Sequence, residues 1–383
     1  SGGRHTIAMA VTVHPTVMAI ETRASLQEHL QWAVQVELST IPTYLYAMYS
    51  IEDRDSEPYK LIRSVVVEEM LHAALAANIA VAVGGKPRFY DEDVIPSYPM
   101  DLPHHDPPIR MNLERCTPEF VERVCLPIEH PKPVDAVPED DDYETIGQFY
   151  LAVERAIERL DEAGTLFERP RVDRQMMNPR YYAPVEYDEE DSGGLHPIDD
   201  VASACRAVET VIHQGEGLRD EHWADPAHHE MTHYYKFKGI ADGTYPLGEV
   251  RPVLENPTTD DFSPELRPVS ELFDAGYSYL FVLMDEIYAT TDRKAKDGLV
   301  NDLYTVMSGM LSPVARYLTS RPATDGGEAR AGPTFEFYRF EDSSSPVAQL
   351  RELTTTVARS HGELIHLNGV VESLHTLPRH ADG

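Results

Sequence analysis

The chain has 383 residues, of which 42% are hydrophobic, so it is long enough to bury a large core without disulfides or structural staples. It carries 33 basic and 65 acidic side chains, a formal net charge of -32. That balance argues against nucleic acid or an anionic membrane as a partner. No window reaches the roughly 18 uninterrupted apolar residues of a membrane span. We therefore expect a soluble protein.

The cysteines give no disulfide framework. Cys116, Cys125 and Cys205 are odd in number and show no C-x-x-C spacing. No segment combines a basic region with a long apolar stretch, as a secretory signal does. A reducing, cytoplasmic location is the expectation.

Two long helices open the predicted fold, at about residues 24 to 52 and 59 to 84, where Gly84-Gly85 supplies a stop. Each has an apolar stripe at the three-and-four spacing of one helix face. The stripes read Leu30, Val34, Glu37, Ile41, Leu45, Met48 and then Ile62, Val66, Glu69, His72, Ala76, Ile79, Val83.

Three ionisable residues interrupt these stripes: Glu37 on the first helix, and Glu69 with His72 on the second. Burying ionised carboxylates costs several kcal/mol unless a partner neutralises them, and a metal ion is a common partner. The pattern is that of half a ferritin-like dimetal bundle, which takes one Glu from each of two helices and a Glu-x-x-His from each of the other two.

The remaining elements complete an all-α prediction. Residues 86–142 are Pro-rich and irregular, which is typical of the long crossover between the second and third helices of such bundles. The predicted third helix is at about 143 to 164. The fourth runs from about 197 to 217 and resumes at about 228 to 240.

Three further helices, at about 268 to 291, 297 to 320 and 345 to 376, read as a structural layer because the middle ones have no ionisable residue on their stripes. The fold class is thus a ferritin-like four-helix bundle with long crossover loops and an additional C-terminal helical layer. We assign 20–245 to the dimetal bundle and 246–383 to helices packed on it within one structural unit. Ala331 to Phe337 is an extended segment that could reach across the bundle.

The second half of the metal site is less regular. On the third helix Glu154 flanks the apolar face at the depth that Glu69 has on the second helix, and we take it as a ligand over a solvated surface residue. On the fourth, Glu209 and His213 offer a four-residue spacing. The alternative is Glu216, between two glycines, with His233 folding back beside it.

Two other motifs have competing readings. His229-Glu230-Met231-Thr232-His233 matches the H-E-x-x-H signature of zinc hydrolases, but its segment is polar rather than a buried apolar helix. Glu363-x-x-His366 lies largely opposite the apolar stripe of its helix, which favours a surface position.

Several blocks of the sequence resemble one enzyme family. They include Glu37-Leu38-Ser39-Thr40-Ile41-Pro42, Glu68-Glu69-Met70-Leu71-His72, Ile128-Glu129-His130-Pro131, Gln214-Gly215-Glu216-Gly217, His233-Tyr234-Tyr235 and Ala331-Gly332-Pro333. The set resembles the ferritin-like domain of bisindole-forming imine dimer synthases and chromopyrrolate synthases. The resemblance implies a nonheme iron or diiron centre, and the oxidation or coupling of amino-acid-derived substrates in specialised metabolism.

The resemblance supports Glu37, Glu69 and His72 as ligands most directly, followed by Glu216 and His233. Gln148 stands where the family pattern has Glu, which leaves the third-helix ligand open.

The leading hypothesis is a nonheme diiron oxidase or oxygenase that uses dioxygen and acts on a small amine or amino-acid-derived molecule. One alternative is a noncatalytic metal-binding or partner-binding bundle. The other is a zinc hydrolase that uses His229, Glu230 and His233. The sequence leaves the loaded metal, the substrate and a homo-oligomeric state open.

Overall fold

A computed structural model describes residues 20–131, 142–182, 193–215 and 231–378. Their helices are α1 (Arg23–Ser50), α2 (Glu57–Ala82), α3 (Pro118–Phe120), α4 (Leu126–Ile128), α5 (Ile146–Leu160), α6 (Val201–Gly215), α7 (His233–Ala241), α8 (Arg267–Ala289), α9 (Arg293–Val306), α10 (Ser312–Thr319), α11 (Pro346–Ser360) and α12 (Leu367–Glu372). Two-residue strands β1 (Met100–Asp101) and β2 (Arg110–Met111) pair antiparallel. The predicted all-α class is confirmed.

The first two helices begin and end on local signals. Thr22 caps α1 by accepting a hydrogen bond from the Ser25 amide at 3.1 Å, and the Ser25 hydroxyl accepts from the Thr22 amide at 3.0 Å. Helix α1 continues across Pro42. Gly84, with φ of 86°, ends the turn after α2 in the left-handed conformation that glycine adopts without strain.

A four-helix bundle surrounds the core. Helix α1 packs along α2, α5 packs against α1 and α6, and α6 closes the ring against α2. Although α2 is apolar and long enough to cross a membrane, 89% of its most apolar 18-residue window is buried inside the fold. It is thus the central core helix, and both of its faces are covered.

The part of the crossover between α2 and α5 that the structure describes is more regular than its proline content predicts. It contains one continuous helical path, made of α3, a π-helical turn at Val121–Cys125, and α4. Helix α7 packs against this path and against α2 and α6. The path positions the residue that follows it, Glu129, inside the bundle.

The C-terminal helices pack on the bundle through α8 and α10, and α10 contacts α1. The Tyr288 hydroxyl donates to the Ala74 carbonyl of α2 at 3.1 Å. The extended segment after Ala331 runs along α8, where the Thr334 hydroxyl and the Glu336 amide donate to the buried Asp274 carboxylate.

The predicted single helix at 345 to 376 is divided into α11 and α12. At the division, the His361 ring contacts the Tyr317 hydroxyl at 2.7 Å and the Glu265 carbonyl at 3.0 Å. Glu363 and His366 are both exposed, and Glu363 pairs with Arg321 at 2.9 Å.

Candidate metal centre

Glu37, Glu69 and His72 meet at the middle of the α1 and α2 pair. Each is no more than 2% exposed. The Nδ1 atom of His72 lies 3.5 Å from Glu37 Oε2 and 3.9 Å from Glu69 Oε1. One ligand atom from each residue lies within 4.8 Å of the others, so the three form a group that could hold a metal ion.

A second such group shares Glu69 and adds Glu129 and His233. His233 is the first residue of α7, whose amino end Thr232 caps by accepting from the Tyr235 amide. Its Nδ1 atom lies 2.8 Å from Glu69 Oε1 and 3.5 Å from Glu129 Oε2. The Glu69 carboxylate therefore lies between two histidines, whose ring centroids are 5.4 Å apart.

A hydroxyl group holds the other oxygen of each carboxylate. The Tyr150 hydroxyl donates to Glu37 Oε1 at 2.6 Å. The Thr40 hydroxyl donates to Glu69 Oε2 at 2.9 Å, and the Tyr44 hydroxyl donates to Glu129 Oε1 at 2.7 Å. On the other side of the centre, His72 Nε2 lies 2.8 Å from Gln214 Oε1 on α6. These contacts leave one oxygen of each carboxylate facing the centre.

Burial and mutual repulsion dominate the electrostatics. Burial, with the neighbouring Glu37 and Glu129 carboxylates, raises the pKa of Glu69 to about 8. Burial alone would lower the pKa of His233, but the surrounding carboxylates Glu129, Glu68 and Glu69 hold it well above its usual range. Without a metal ion, the crowded carboxylates therefore favour protons on Glu69 and His233, which a bound cation could displace.

The residues fit a metal ion by geometry and by donor chemistry. Two ligand atoms about 2.1 Å from one ion are about 3 to 4 Å apart, depending on the angle, and most of the distances above are in that range. Both ring nitrogens of His233 are buried, and neither makes a well-aligned hydrogen bond among the described residues, although Nδ1 lies 2.8 Å from Glu69 Oε1. Mixed carboxylate and imidazole donors suit first-row transition metals such as iron.

A small cavity adjoins the centre, with about 290 Å³ of space around it when open solvent is included. Its polar floor is Glu37, Glu69, His72 and Glu129. Its opposite walls come from the first turns of α5 and the last turns of α6, and they are Ile146, Gly147, Tyr150, Val211, Ile212 and Gly215. The cavity therefore has a charged floor and mostly apolar walls.

A family model described as ferritin-like matches residues 30–242, more than half of the chain. The chain belongs to the ferritin-like family. This confirms the fold that the sequence blocks implied.

Two curated relatives match most of the chain. Dichlorochromopyrrolate synthase from Lentzea aerocolonigenes is 26% identical over 83% of this chain and 36% of its own length. The 2-imino-3-(indol-3-yl)propanoate dimerase from Chromobacterium violaceum is 24% identical over 82% of this chain and 34% of its own length. The chain thus spans about a third of the length of these relatives, and their names match the family that the sequence resembles.

A crystal structure of a ferritin-like protein from Caulobacter vibrioides has the same fold. It superposes with a TM-score of 0.55 at 22% identity, and the match covers 82% of this chain and 99% of that one. This likeness supports the fold alone.

The structure does not bring Glu154 to the ferritin-like centre. The cavity meets α5 at Ile146, Gly147 and Tyr150, so Glu154 lies a full turn farther along the helix. It is half-buried beside Glu158 and Cys205, in a separate group between α5 and α6. One turn before Glu154, α5 instead presents the hydroxyl of Tyr150 to Glu37.

Gln148 also has a local role. Its backbone N–H donates to the capping hydroxyl of Thr145 at 3.0 Å. Its side-chain oxygen accepts from the backbone N–H of Glu144 at 2.7 Å. The residue that departs from the family pattern thus stabilises the start of α5.

The other residues proposed from the sequence as metal ligands differ in where they lie. Glu209 is exposed, so the Glu209 and His213 pair does not form a buried ligand set. Glu216, His229 and Glu230 lie outside the described residues. His233 joins Glu69 and Glu129 in one buried group, as given above.

Glu129 is a candidate ligand that the sequence analysis missed. It belongs to the block Ile128-Glu129-His130-Pro131, which carries part of the family resemblance, but it lies in a segment read as an irregular crossover. An isolated acidic residue directly after a short apolar helical turn was the available signal.

Proposed function

We propose that this chain is a nonheme diiron oxidase or oxygenase that acts on a small amine or amino-acid-derived molecule in specialised metabolism. The observation that carries the proposal is the shared position of Glu69 in two buried groups, each with one further Glu and one His. A carboxylate between two metal positions is the arrangement that ferritin-like dimetal bundles use.

In this proposal, Glu37 and His72 would hold one iron and Glu129 and His233 the other, with Glu69 available to either position. Glu154 is not included, and Glu216 remains a predicted ligand. A pair of ferrous ions supplies the electrons with which dioxygen is reduced.

The protein's own residues prepare the site for that chemistry. Tyr150, Thr40 and Tyr44 fix the three carboxylates through their outer oxygens. The contact between Gln214 and His72 Nε2 selects the tautomer in which Nδ1 is free to bind metal. The apolar side chains of Ile146, Val211 and Ile212 line the cavity beside these carboxylates.

The substrate class rests on the relatives and on the cavity. One relative is named for an imine of an indole-bearing propanoate, and the other for a chromopyrrolate product. A cavity with a charged floor and apolar walls suits a small molecule with an amine or imine next to an apolar group. We propose a cytoplasmic location on the basis of the three free cysteines.

The test is metal content followed by oxygen consumption. Anaerobic loading of the purified full chain with ferrous iron should give about two iron atoms per chain. Exposure to oxygen with candidate amines and amino-acid-derived imines should then consume oxygen. A Glu69→Ala variant should lose most of the iron, because both groups lose their shared ligand, whereas Glu154→Ala should retain it.

Equal iron content in the wild type and the Glu69→Ala variant would contradict the assignment. Iron binding with no oxygen consumption for any amine or imine tested would favour the noncatalytic bundle. One zinc per chain, retained in Glu69→Ala and lost in His229→Ala, would favour the hydrolase, in which Glu230 is the base and not a zinc ligand.

A further inference from the structure

The two histidines of the centre have different groups behind them. Both direct Nδ1 toward the carboxylates of the centre. Behind His72, Nε2 meets the neutral amide oxygen of Gln214 at 2.8 Å. Behind His233, Nε2 meets a carboxylate oxygen, Glu68 Oε2, at 3.8 Å.

Glu68 is held in place by a buried lysine. Its Oε1 atom accepts from Lys236 Nζ at 3.0 Å, and Lys236 also donates to the Ser64 hydroxyl at 3.0 Å. Lys236 is 2% exposed and Glu68 is 6% exposed. The pair joins α2 to α7. Glu68 directly precedes Glu69 on α2, and Lys236 lies one turn after His233 on α7.

One oxygen of Glu68 is unused by this pair. Oε2 is buried and has no hydrogen-bond partner among the residues that the structure describes. The Nε2 atom of His233 is likewise buried without a hydrogen-bond partner among those residues, and it lies 3.8 Å from Glu68 Oε2. Leaving both a donor and an acceptor unpaired in the core is costly, and closing the gap by less than 1 Å would satisfy both.

A buried ion pair is seldom needed for stability, since well-packed apolar residues often serve as well. A carboxylate behind a metal-binding imidazole has a specific effect. It accepts the ring N–H, fixes the ring orientation and makes the opposite nitrogen a stronger ligand.

We propose that Glu68, anchored by Lys236, is a positioning residue for His233 that accepts its Nε2–H and keeps Nδ1 on the metal position shared by Glu69 and Glu129. The inference rests on the dimetal centre of the proposed function. The His72 position has Gln214 in the same role, so the two metal positions are inequivalent and can be weakened separately.

The experiment is an anaerobic titration of the full chain with Co²⁺, read from its visible absorption. The double variant Glu68→Met/Lys236→Met removes both charges and the acceptor behind His233 together, because removal of one charge alone would leave the other buried and unpaired. We expect one Co²⁺ bound with wild-type affinity and one bound about 10 to 100 times more weakly.

Gln214→Met is the matched comparison, because it removes the acceptor behind His72 only. It should weaken the other Co²⁺, and the triple variant should weaken both. Unchanged affinities in the double variant would overturn the proposal. The proposal would also be overturned if the double variant bound both ions equally weakly while its unfolding midpoint stayed unchanged. It would be overturned as well if the double variant and Gln214→Met weakened the same ion.

If the double variant does not fold, Glu68→Asp keeps the charge but shortens the reach to His233, and it should weaken one ion only. Unaltered binding of both ions in that variant would overturn the proposal. A wild-type chain that binds no Co²⁺ would overturn the metal centre itself. The Co²⁺ titration is anaerobic, so its result does not depend on oxidase activity. If one ion is selectively weakened in the double variant but the wild type consumes no oxygen in the test of the proposed function, the oxidase is refuted and this inference stands.

Discussion

Tyr150 is the residue through which α5 reaches the centre, since its buried hydroxyl donates to Glu37 Oε1 at 2.6 Å. Tyr150→Phe should lower the affinity for ferrous iron or Co²⁺ by about tenfold, because groups that hold a ligand in place typically contribute 10 to 100 times in metal affinity. The measurement is an anaerobic titration against a competing chelator.

Tyr46→Phe is the control for that prediction. Its hydroxyl donates to the Leu254 carbonyl, away from the centre. It should lower the thermal unfolding midpoint without changing metal affinity. Equal metal affinity in Tyr150→Phe and the wild type would show that the hydroxyl has no role in ligand placement.

The helical spacing of apolar residues identifies some residues of the candidate site from the sequence but not others. Glu37, Glu69 and His72 stand out because a charged side chain on an apolar stripe violates the pattern. Tyr150 and Tyr44 do not stand out, because a tyrosine fits a buried stripe whether or not its hydroxyl has a partner. Their roles depend on which carboxylate lies opposite.

Among the elements, the crossover after α2 is attached to α8 through one carboxylate. Asp285 accepts from the Phe89 amide at 2.9 Å and the Tyr90 amide at 3.0 Å. Burial raises its pKa to about 6 despite these hydrogen bonds. Its protonated form is therefore favoured in the folded state, so its contribution to stability is largest at low pH and falls as the pH rises from about 4 to about 6.

We expect the difference in free energy of unfolding between wild type and Asp285→Asn to shrink by about 1 to 2 kcal/mol between pH 4.5 and 7. Urea unfolding at several pH values measures it. Exposed Asp55→Asn provides the control for general charge effects. A difference that stays constant, or grows with pH, would refute the assigned direction.

The element boundaries show where sequence patterns stop being informative. Helices α1, α2 and α8 follow long stripes and lie close to their predicted positions. The helical path of α3, the π-helical turn and α4 is too short to show a period, and it lies among prolines that predict irregular chain. Its helical form depends on packing against α7, which is more than 100 residues away in sequence.

For the whole molecule, metal binding should be coupled to stability, because the centre concentrates buried carboxylates. At a free Co²⁺ concentration of 100 times Kd, each bound ion stabilises the folded state by about 2.7 kcal/mol. Calorimetry should then show a midpoint about 3 to 8 °C higher than with chelator. The Glu69→Ala variant should show little of this shift, and a full shift in that variant would place the stabilising ion elsewhere.

The composition has consequences only at this scale. A net charge of -32 disfavours binding to nucleic acid, and it says nothing about where a metal would bind. The match to about a third of each curated relative likewise concerns the domain and not the complete activity of those proteins. The substrate therefore has to be tested on this chain.

The sequence by itself determined the all-α class, the first two helices of the bundle and the half-site of Glu37, Glu69 and His72. It could do so because helical spacing relates residues three and four positions apart, and a charge on a buried stripe is visible in one dimension. Only the tertiary structure decided that Glu129 and His233, 104 residues apart, meet at the other side of Glu69. They lie on separate short segments whose approach depends on long-range packing, and no local period records it.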